Sequence, residues 1–330
     1  MESVISMQNK KQSIESGNTF IVTGGLGFIG SRLVKRLLKR GDKVYVIDNF
    51  STGDIINLRE HLKSSNLKIE MRNLNFDPIP EFNERITGIF HLGMPSSSPM
   101  YRRDLSLIHS TYKNIVLVLD YCRLHDCRLV YASTSSIYNG CSIPMKEDDL
   151  VKPMDFYSEL RYYLERTSAV FHQMYGVNSV GLRLFSVYGE NERPKQQYAN
   201  MISQFIWGAL KGESPVIYGD GEQTRDFIYV EDCVDAFVNA MDFANIESDV
   251  INVGTGVSYS FNQIWEIIAK ELSLDLKPKY VPNPIKNYVK DTLADTTKLK
   301  SLLKKTDFTD IESGIQKLIV HYSRDGYNGQ

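Results

Sequence analysis

One stretch near the N-terminus constrains the fold more than any other. Thr19-Phe20-Ile21-Val22-Thr23 is a short apolar run rich in β-branched residues, and Gly24-Gly25-Leu26-Gly27-Phe28-Ile29-Gly30 follows at once. Beyond the glycines, Leu33, Val34, Leu37 and Leu38 recur at helical spacing within the segment Ser31 to Lys39. Gly41-Asp42 then leads into a second apolar run, Lys43 to Ile47, closed by Asp48. Strand, tight glycine turn, helix and strand in about thirty residues make a β-α-β unit, which demands parallel pairing and a right-handed crossover.

The same alternation continues. Buried strands are expected at Leu67 to Met71, Gly88 to Leu92, Arg128 to Ala132 and Ser179 to Leu184, with helices at Leu105 to His125 and Phe156 to Tyr175. That order predicts an α/β fold, a doubly wound parallel sheet. After Arg183 the texture changes, because Pro194, Gly212, Pro215, Gly219, Gly221, Pro278, Pro282 and Pro284 break the chain into short segments. The expected division is a flexible polar tail over 1–18, a nucleotide-binding domain over 19–185 and a smaller C-terminal α/β substrate lobe over 186–330. Segments near 226–256 are expected to pack back on the first domain.

Composition narrows the function classes. Lys+Arg 38 against Asp+Glu 40 gives a net charge of −2, so nothing points to nucleic acid or to an anionic membrane. Apolar runs such as Ile115 to Leu119 fall far short of the roughly 18 residues that span a bilayer. Residues 1–18 lack an apolar core of the secretory type, and the expected location is cytoplasmic. Cys122, Cys127, Cys141 and Cys233 form no CxxC pair and read as free thiols. The scattered histidines show no metal-ligand spacing, so no metal is expected.

Chemistry enters at the glycine turn. Gly24, Gly27 and Gly30 stand in a G-x-x-G-x-x-G pattern between the first strand and the first helix. Glycine lets the backbone approach a pyrophosphate, and the helix start around Phe28 and Ile29 offers free N–H groups and partial positive charge. Asp48 ends the second strand 48 − 30 = 18 residues after the last glycine, where an acid hydrogen-bonds the adenosine ribose. A carboxylate there repels a 2′-phosphate, so NAD is favoured over NADP. His91-Leu92-Gly93 ends the fourth strand, and small residues there let the backbone pass beside a cofactor. The domain reads as a Rossmann unit.

Further motifs accumulate: Asp48-Asn49-Phe50-Ser51-Thr52-Gly53, Phe90-His91-Leu92, Tyr131-Ala132-Ser133-Thr134-Ser135-Ser136-Ile137-Tyr138, Tyr157 with Arg161, Arg183-Leu184-Phe185-Ser186-Val187-Tyr188-Gly189, and Ile217-Tyr218-Gly219-Asp220-Gly221-Glu222-Gln223-Thr224-Arg225-Asp226-Phe227. Together they resemble the extended short-chain dehydrogenase/reductase family, in its nucleotide-sugar epimerase and dehydratase branch, from Thr19 to about His321. The resemblance implies that Tyr157 is the catalytic base, that Thr134 shares its proton with the sugar, and that position 161 is the cation orienting the nicotinamide ribose. It implies NAD contacts from Asn49, Ser51, Thr52, Gly53, Leu92 and Gly93. It also implies a substrate site drawing on Ser135, Ser136, Ser186, Tyr218, Arg225, Lys286 and Thr292, and a homodimer paired through the two long helices.

The chain departs from its family at one catalytic position. The usual motif is Tyr-x-x-x-Lys, and here it is Tyr157-Ser158-Glu159-Leu160-Arg161. The spacing still places both groups on one helix face. A phenol titrates near 10 and must lose its proton near neutrality to act as a base. At about 6 Å and an effective dielectric near 20, one positive charge stabilises phenolate by roughly 2.8 kcal/mol, about two pKa units. Arginine supplies that charge as well as lysine, but its planar fork changes the hydrogen-bond geometry.

Which reaction follows depends on the residues before Tyr138. Dehydratases of the resembled branch carry an Asp-Glu pair there, and decarboxylases a glutamate, whereas this chain has Ser135 and Ser136. Epimerisation needs no such acid, so a 4-epimerase of a UDP-hexose is the favoured expectation. Arg225 is expected to meet the substrate diphosphate, with a surface pairing to Asp226 or Glu222 as the alternative. Thr292 stands where a bulky tyrosine would crowd the sugar's C2 substituent, which suggests an N-acetylated sugar. Two other readings stand beside this one: a 4,6-dehydratase, decarboxylase or C4 oxidoreductase, and a non-catalytic NAD-binding regulatory protein.

Overall fold

Strand β1 (Thr19–Thr23) enters the glycine turn, helix α1 (Phe28–Arg40) leaves it, and β2 (Lys43–Asp48) returns parallel to β1. The computed structural model describes residues 17–243, 245–284 and 288–324; the tail expected over 1–18 lies almost wholly outside them. Helix α1 begins three residues before the predicted Ser31, because the last glycine is already helical. It stops where Gly41 takes a φ of 94° and turns its N–H back on the Leu37 and Leu38 carbonyls.

Strands β3 (Leu67–Met71) and β4 (Gly88–His91) follow, then helices α2 (Ser98–Arg103) and α3 (Ser106–His125). Next come β5 (Arg128–Thr134), α4 (Phe156–Tyr175) and β6 (Ser179–Leu184). The chain continues through β7 (Ser186–Tyr188), α5 (Met201–Ala209), β8 (Val216–Tyr218), β9 (Thr224–Tyr229) and α6 (Val230–Asp242). It ends with β10 (Ser248–Val253), β11 (Ser258–Ser260), α7 (Phe261–Glu271), β12 (Lys279–Val281), α8 (Thr297–Leu302) and α9 (Ile311–Arg324).

Seven parallel strands form one sheet in the order β10-β6-β5-β4-β1-β2-β3. The α/β doubly wound architecture is therefore as expected. Alternate residues of each strand point to opposite faces, so Phe20, Val22, Val46 and Phe90 pack with Leu33, Leu37 and Phe237 from α1 and α6. Ile21, Tyr45, Ile47 and Ile89 pack on the other face with Ile115, Leu119 and Leu164 from α3 and α4. A separate cluster joins α5, α7 and α9 around Phe205, Trp265 and Leu318. The strand order reverses between β1 and β4, and in open α/β sheets the crevice at that switch point is where ligands bind. Among the described residues no helix is long and apolar enough to cross a membrane.

Candidate active site

The C-terminal ends of β1, β2, β4 and β5 open with the first turns of α1 and α4 onto one cavity of about 830 Å³. Its first wall is the glycine turn. A Cβ on Gly24 would meet the backbone of Gly93 at 2.9 Å, and one on Gly30 would lie 2.1 Å from the Gly24 carbonyl oxygen. Gly27 caps α1 without a side-chain hydrogen bond. The amides that a helix start leaves without intrahelical partners therefore belong to the cavity-lining Phe28, Ile29 and Gly30.

Asp48 sits at the adjoining strand end, where Oδ2 accepts from the Leu26 N–H at 3.0 Å and Oδ1 from the Phe50 N–H at 2.8 Å. Burial pushes its carboxyl above the ordinary range, and the Phe50 and Leu26 amides oppose that rise. Asn49, Ser51, Thr52, Gly53, Leu92 and Gly93 line the same cavity. A close-approach glycine cradle, a bare helix start and a strand-end carboxylate fit the diphosphate and ribose of a dinucleotide.

Helix α4 presents the second group. Asp155 caps it, accepting from the Ser158 N–H at 2.8 Å while the Ser158 side chain returns to the Asp155 backbone. Tyr157 thereby enters the cavity in the first turn, and Arg161 follows one turn later with its Cζ 5.2 Å from the Tyr157 ring centre. Arg161 is only 4% exposed. Its Nη1 lies 2.8 Å from Met94 Sδ, its Nη2 donates to the Pro95 carbonyl at 3.1 Å, and it makes no ion pair among the described residues. Thr134 ends β5 and lines the same cavity; its Oγ1 accepts from the Ser136 N–H at 3.1 Å, which closes a single helical turn over Ser135–Tyr138.

Beneath this pair lies a fixed polar joint. Thr23 Oγ1 accepts from the Leu92 and Gly93 amides at 3.2 and 3.0 Å, so its own proton goes to His91 Nδ1 at 2.8 Å. That assigns His91 the tautomer protonated on Nε2. Burial, reinforced by the Arg161 charge, pushes the His91 imidazole down to about 3.

At the substrate end, Ser135, Ser136, Ser186, Arg225 and Thr292 line the cavity. Arg225 pairs with neither Asp226 nor Glu222. Its guanidinium donates to the Thr224, Lys290 and Val289 carbonyls at 2.7, 2.9 and 2.6 Å, between the rings of Phe261 and Tyr288. Tyr218 is not on the cavity wall: Ile217 is the inward residue of β8, so its neighbours on either side point outward. Lys286 lies outside the described residues. Met94, Pro95 and Tyr288 also line the cavity, and Tyr101 sets its ring 6.5 Å from that of Tyr157; these contacts are distant in sequence and leave no local pattern.

The family model for the NAD dependent epimerase/dehydratase family matches residues 20–254. A protein of Methanocaldococcus jannaschii provisionally named UDP-glucose 4-epimerase is 30% identical over 91% of this chain and 96% of its own length. UDP-glucuronic acid decarboxylase 1 of Danio rerio is 28% identical over 92% of this chain and 72% of its own. Among solved structures, UDP-N-acetylglucosamine 4-epimerase from Methanobrevibacter ruminantium, in complex with UDP-N-acetylmuramic acid, superposes with a TM-score of 0.87 at 31% identity. It covers 94% of this chain and 100% of that one. The chain belongs to the NAD-dependent epimerase/dehydratase family, with NAD as its cofactor.

Proposed function

We propose that this chain is a 4-epimerase of a UDP-linked hexose. The observation that carries the reading is Tyr157, with a buried cation against its ring, sharing a cavity with Thr134 where Ser135 and Ser136 stand in place of a carboxyl acid. Gly24, Gly27, Phe28, Ile29 and Gly30 hold the NAD diphosphate, Asp48 with Asn49, Ser51, Thr52 and Gly53 holds the adenosine, and Leu92 and Gly93 flank the remainder. Bound there, NAD supplies a reversible hydride acceptor. Tyr157 takes the proton of the sugar's C4 hydroxyl, Thr134 bridges that hydroxyl to the phenol, and Arg161 stabilises the phenolate while its charge stays fixed. With that acceptor bound, C4 would lose its hydrogen as hydride and become a ketone; after the sugar turns over, the hydride would return to the opposite face while Tyr157 returns the proton to the oxygen, giving the opposite C4 configuration.

Residues 19–185 hold the cofactor in this reading, and 186–330 hold the sugar nucleotide, with α6 and β10 returning to the first sheet. Ser186 and Thr292 meet the substrate, Arg225 braces the wall beside it through the Val289 and Lys290 carbonyls, and the small Thr292 leaves room for a C2 acetamido group. The named activity of the Methanobrevibacter relative supports that choice. Decarboxylation is the second reading, favoured by the Danio relative, and Ser136 is the residue that argues against it. The exposed Val116, Leu124, Val170 and Met174 on α3 and α4 support a homodimer paired through these helices.

Incubating the protein with UDP-glucose, UDP-galactose, UDP-N-acetylglucosamine and UDP-glucuronate, and resolving the products by NMR and mass, tests the reaction. Interconversion of two sugars of equal mass supports epimerisation. Loss of carbon dioxide or water assigns one of the rival reactions, and loss of neither with no interconversion overturns the enzymatic reading. Light scattering on the same sample tests the dimer.

A further inference from the structure

Glu165 lies on α4 one turn beyond Arg161 and two beyond Tyr157, on the same helix face. A carboxylate at that spacing is the natural partner for the Arg161 guanidinium, yet it is spent elsewhere. Arg183 Nε donates to Glu165 Oε1 at 3.0 Å and Nη2 to Oε2 at 2.8 Å, a two-pronged pairing. Ser133, the register partner of Arg183 across β5 and β6, also donates its hydroxyl to Oε1. The remaining Arg183 nitrogen, Nη1, donates to Tyr138 Oη at 2.7 Å and to the Glu147 carbonyl at 3.1 Å. Glu165, Arg183 and Ser133 are all 5% exposed or less.

We propose that Arg183 is a positioning residue that sequesters Glu165, so that Arg161 is left without a carboxylate partner beside Tyr157. The inference rests on the assignment of Tyr157 as the base, and it deepens that assignment by naming what sets the field at the phenol.

The other groups around Tyr157 and Arg161 are left unchanged by a substitution at Glu165 or Arg183, among them the Asp155 and Glu159 carboxylates on α4 itself, which act as a constant background. His91 on β4 is held neutral, with its imidazole near 3. Burial lifts the phenols of Tyr101 on α2, Tyr112 on α3 and Tyr131 on β5, so none is ionised near neutrality. Of the carboxylates, Asp155 is engaged as the α4 cap and Asp249 on β10 pairs with Lys298. The Glu165–Arg183 pair is neutral as a unit, and it also ties α4 to the ends of β5 and β6, where Thr134 stands next to Ser133.

The two halves of the pair therefore carry opposite electrostatic consequences, which a purely structural tie would not. Eight residues of helix separate Glu165 from Tyr157 by about 12 Å, and at an effective dielectric near 20 one unmasked charge moves a phenol by about one pH unit. Glu165→Gln unmasks the Arg183 cation and favours phenolate. Arg183→Met unmasks the Glu165 anion, which also draws on Arg161, and disfavours phenolate.

The test is a pH titration of the full chain labelled with ¹³Cζ-tyrosine, followed by NMR with and without NAD, the Tyr157 signal being assigned with Tyr157→Phe. Glu165→Gln is expected to lower the Tyr157 midpoint by about one unit and Arg183→Met to raise it by a similar amount. The double variant is expected to return it to the wild-type value, and Ser133→Ala, which changes no charge, to leave it in place. Shifts of the same sign in both single variants, or no shift in either, overturn the proposal. If Arg183→Met does not fold, the comparison of Glu165→Gln with Ser133→Ala decides: a downward shift confined to the former supports the proposal, and equal shifts or none overturn it. Because no sugar is present, failure of the epimerase reading leaves this result standing.

Discussion

The guanidinium carbon of Arg161 lies 5.2 Å from the centre of the Tyr157 ring, and the arginine is held there by the loop ending β4 rather than by any carboxylate. The guanidinium thus faces the ring with no carboxylate among the described residues paired to it. Tyr157→Phe is expected to lower turnover by about 10²- to 10⁴-fold, the usual worth of a positioned acid–base group, while NAD still binds. Arg161→Met is expected to approach that loss. Arg161→Lys keeps the charge and retains most of the turnover, with weaker NAD binding, because an ammonium cannot reproduce the fork that reaches Pro95. Steady-state rates beside NAD fluorescence titrations check all three, and an Arg161→Met variant with wild-type turnover would remove the arginine from the mechanism.

The glycine cradle makes a prediction about space. At Gly30 an added methyl would sit 2.1 Å from the Gly24 carbonyl oxygen, a backbone atom that cannot swing aside. Gly30→Ala should cost about 1–3 kcal/mol or more of stability and abolish NAD binding. Gly140 has a φ of 93° with nothing within 4 Å of its virtual Cβ, so Gly140→Ala should show only the strain of a left-handed residue, about 1 kcal/mol, and bind NAD normally. Thermal melts with and without NAD distinguish the two. Equal behaviour would mean that the turn does not depend on close approach.

His91 predicts a pH dependence of stability. Its imidazole is pushed down to about 3 in the folded chain and titrates near 6.5 when unfolded. Between those values the unfolded chain binds the extra proton, so His91 adds a positive slope of stability against pH. The folded state therefore loses stability as pH falls from about 6.5 toward 3, by up to about 1.4 kcal/mol per unit from this one group. His91→Gln keeps a hydrogen-bonding side chain for Thr23 but cannot titrate. Denaturant melts at pH 7 and pH 5 should show a smaller loss of stability in the variant than in the wild type. An unchanged difference would show that His91 is not neutral in the fold.

Local pattern carried most of the fold. The strands from β1 to β6 and the helices α3 and α4 are long enough for their periods to show, and the predicted bounds fall within a few residues of the observed ones. Strands β7, β8 and β11 have three residues each, too few for an alternation to be read, so nothing local corrected the resemblance where it implied that Tyr218 meets the substrate. In the site, Tyr157 and Arg161 were legible through the family resemblance, and helical spacing then places them on one face. Their surroundings were not, since Met94, Pro95 and Arg183 meet α4 across long stretches of sequence. The role of Arg225 shows the same limit: an arginine suits an anion, and nothing local reveals that three carbonyls already claim it.

Those three carbonyls give Arg225 its own test. Two of them, from Val289 and Lys290, belong to the segment of the cavity wall that leads to Thr292, and Thr224 ties the same wall through the Asp291 carboxylate at 2.8 Å. Burial lowers the Arg225 pKa, and Tyr288 and Asp291 oppose the shift, so the side chain stays a cation and its bonds are charge-assisted. A planar fork reaches three acceptors at once, and a lysine ammonium cannot match that geometry. Arg225→Lys is therefore expected to loosen residues 288–292, speeding their amide exchange at least tenfold, and to raise KM for the nucleotide sugar about tenfold, with kcat and NAD affinity little changed. Arg225→Gln, which keeps one donor group and no charge, should do both more strongly. If exchange quickens while KM holds, Arg225 is a latch for the wall alone. If KM rises while exchange holds, the guanidinium meets the substrate directly, and the carbonyl bonds must yield to it when the sugar nucleotide binds.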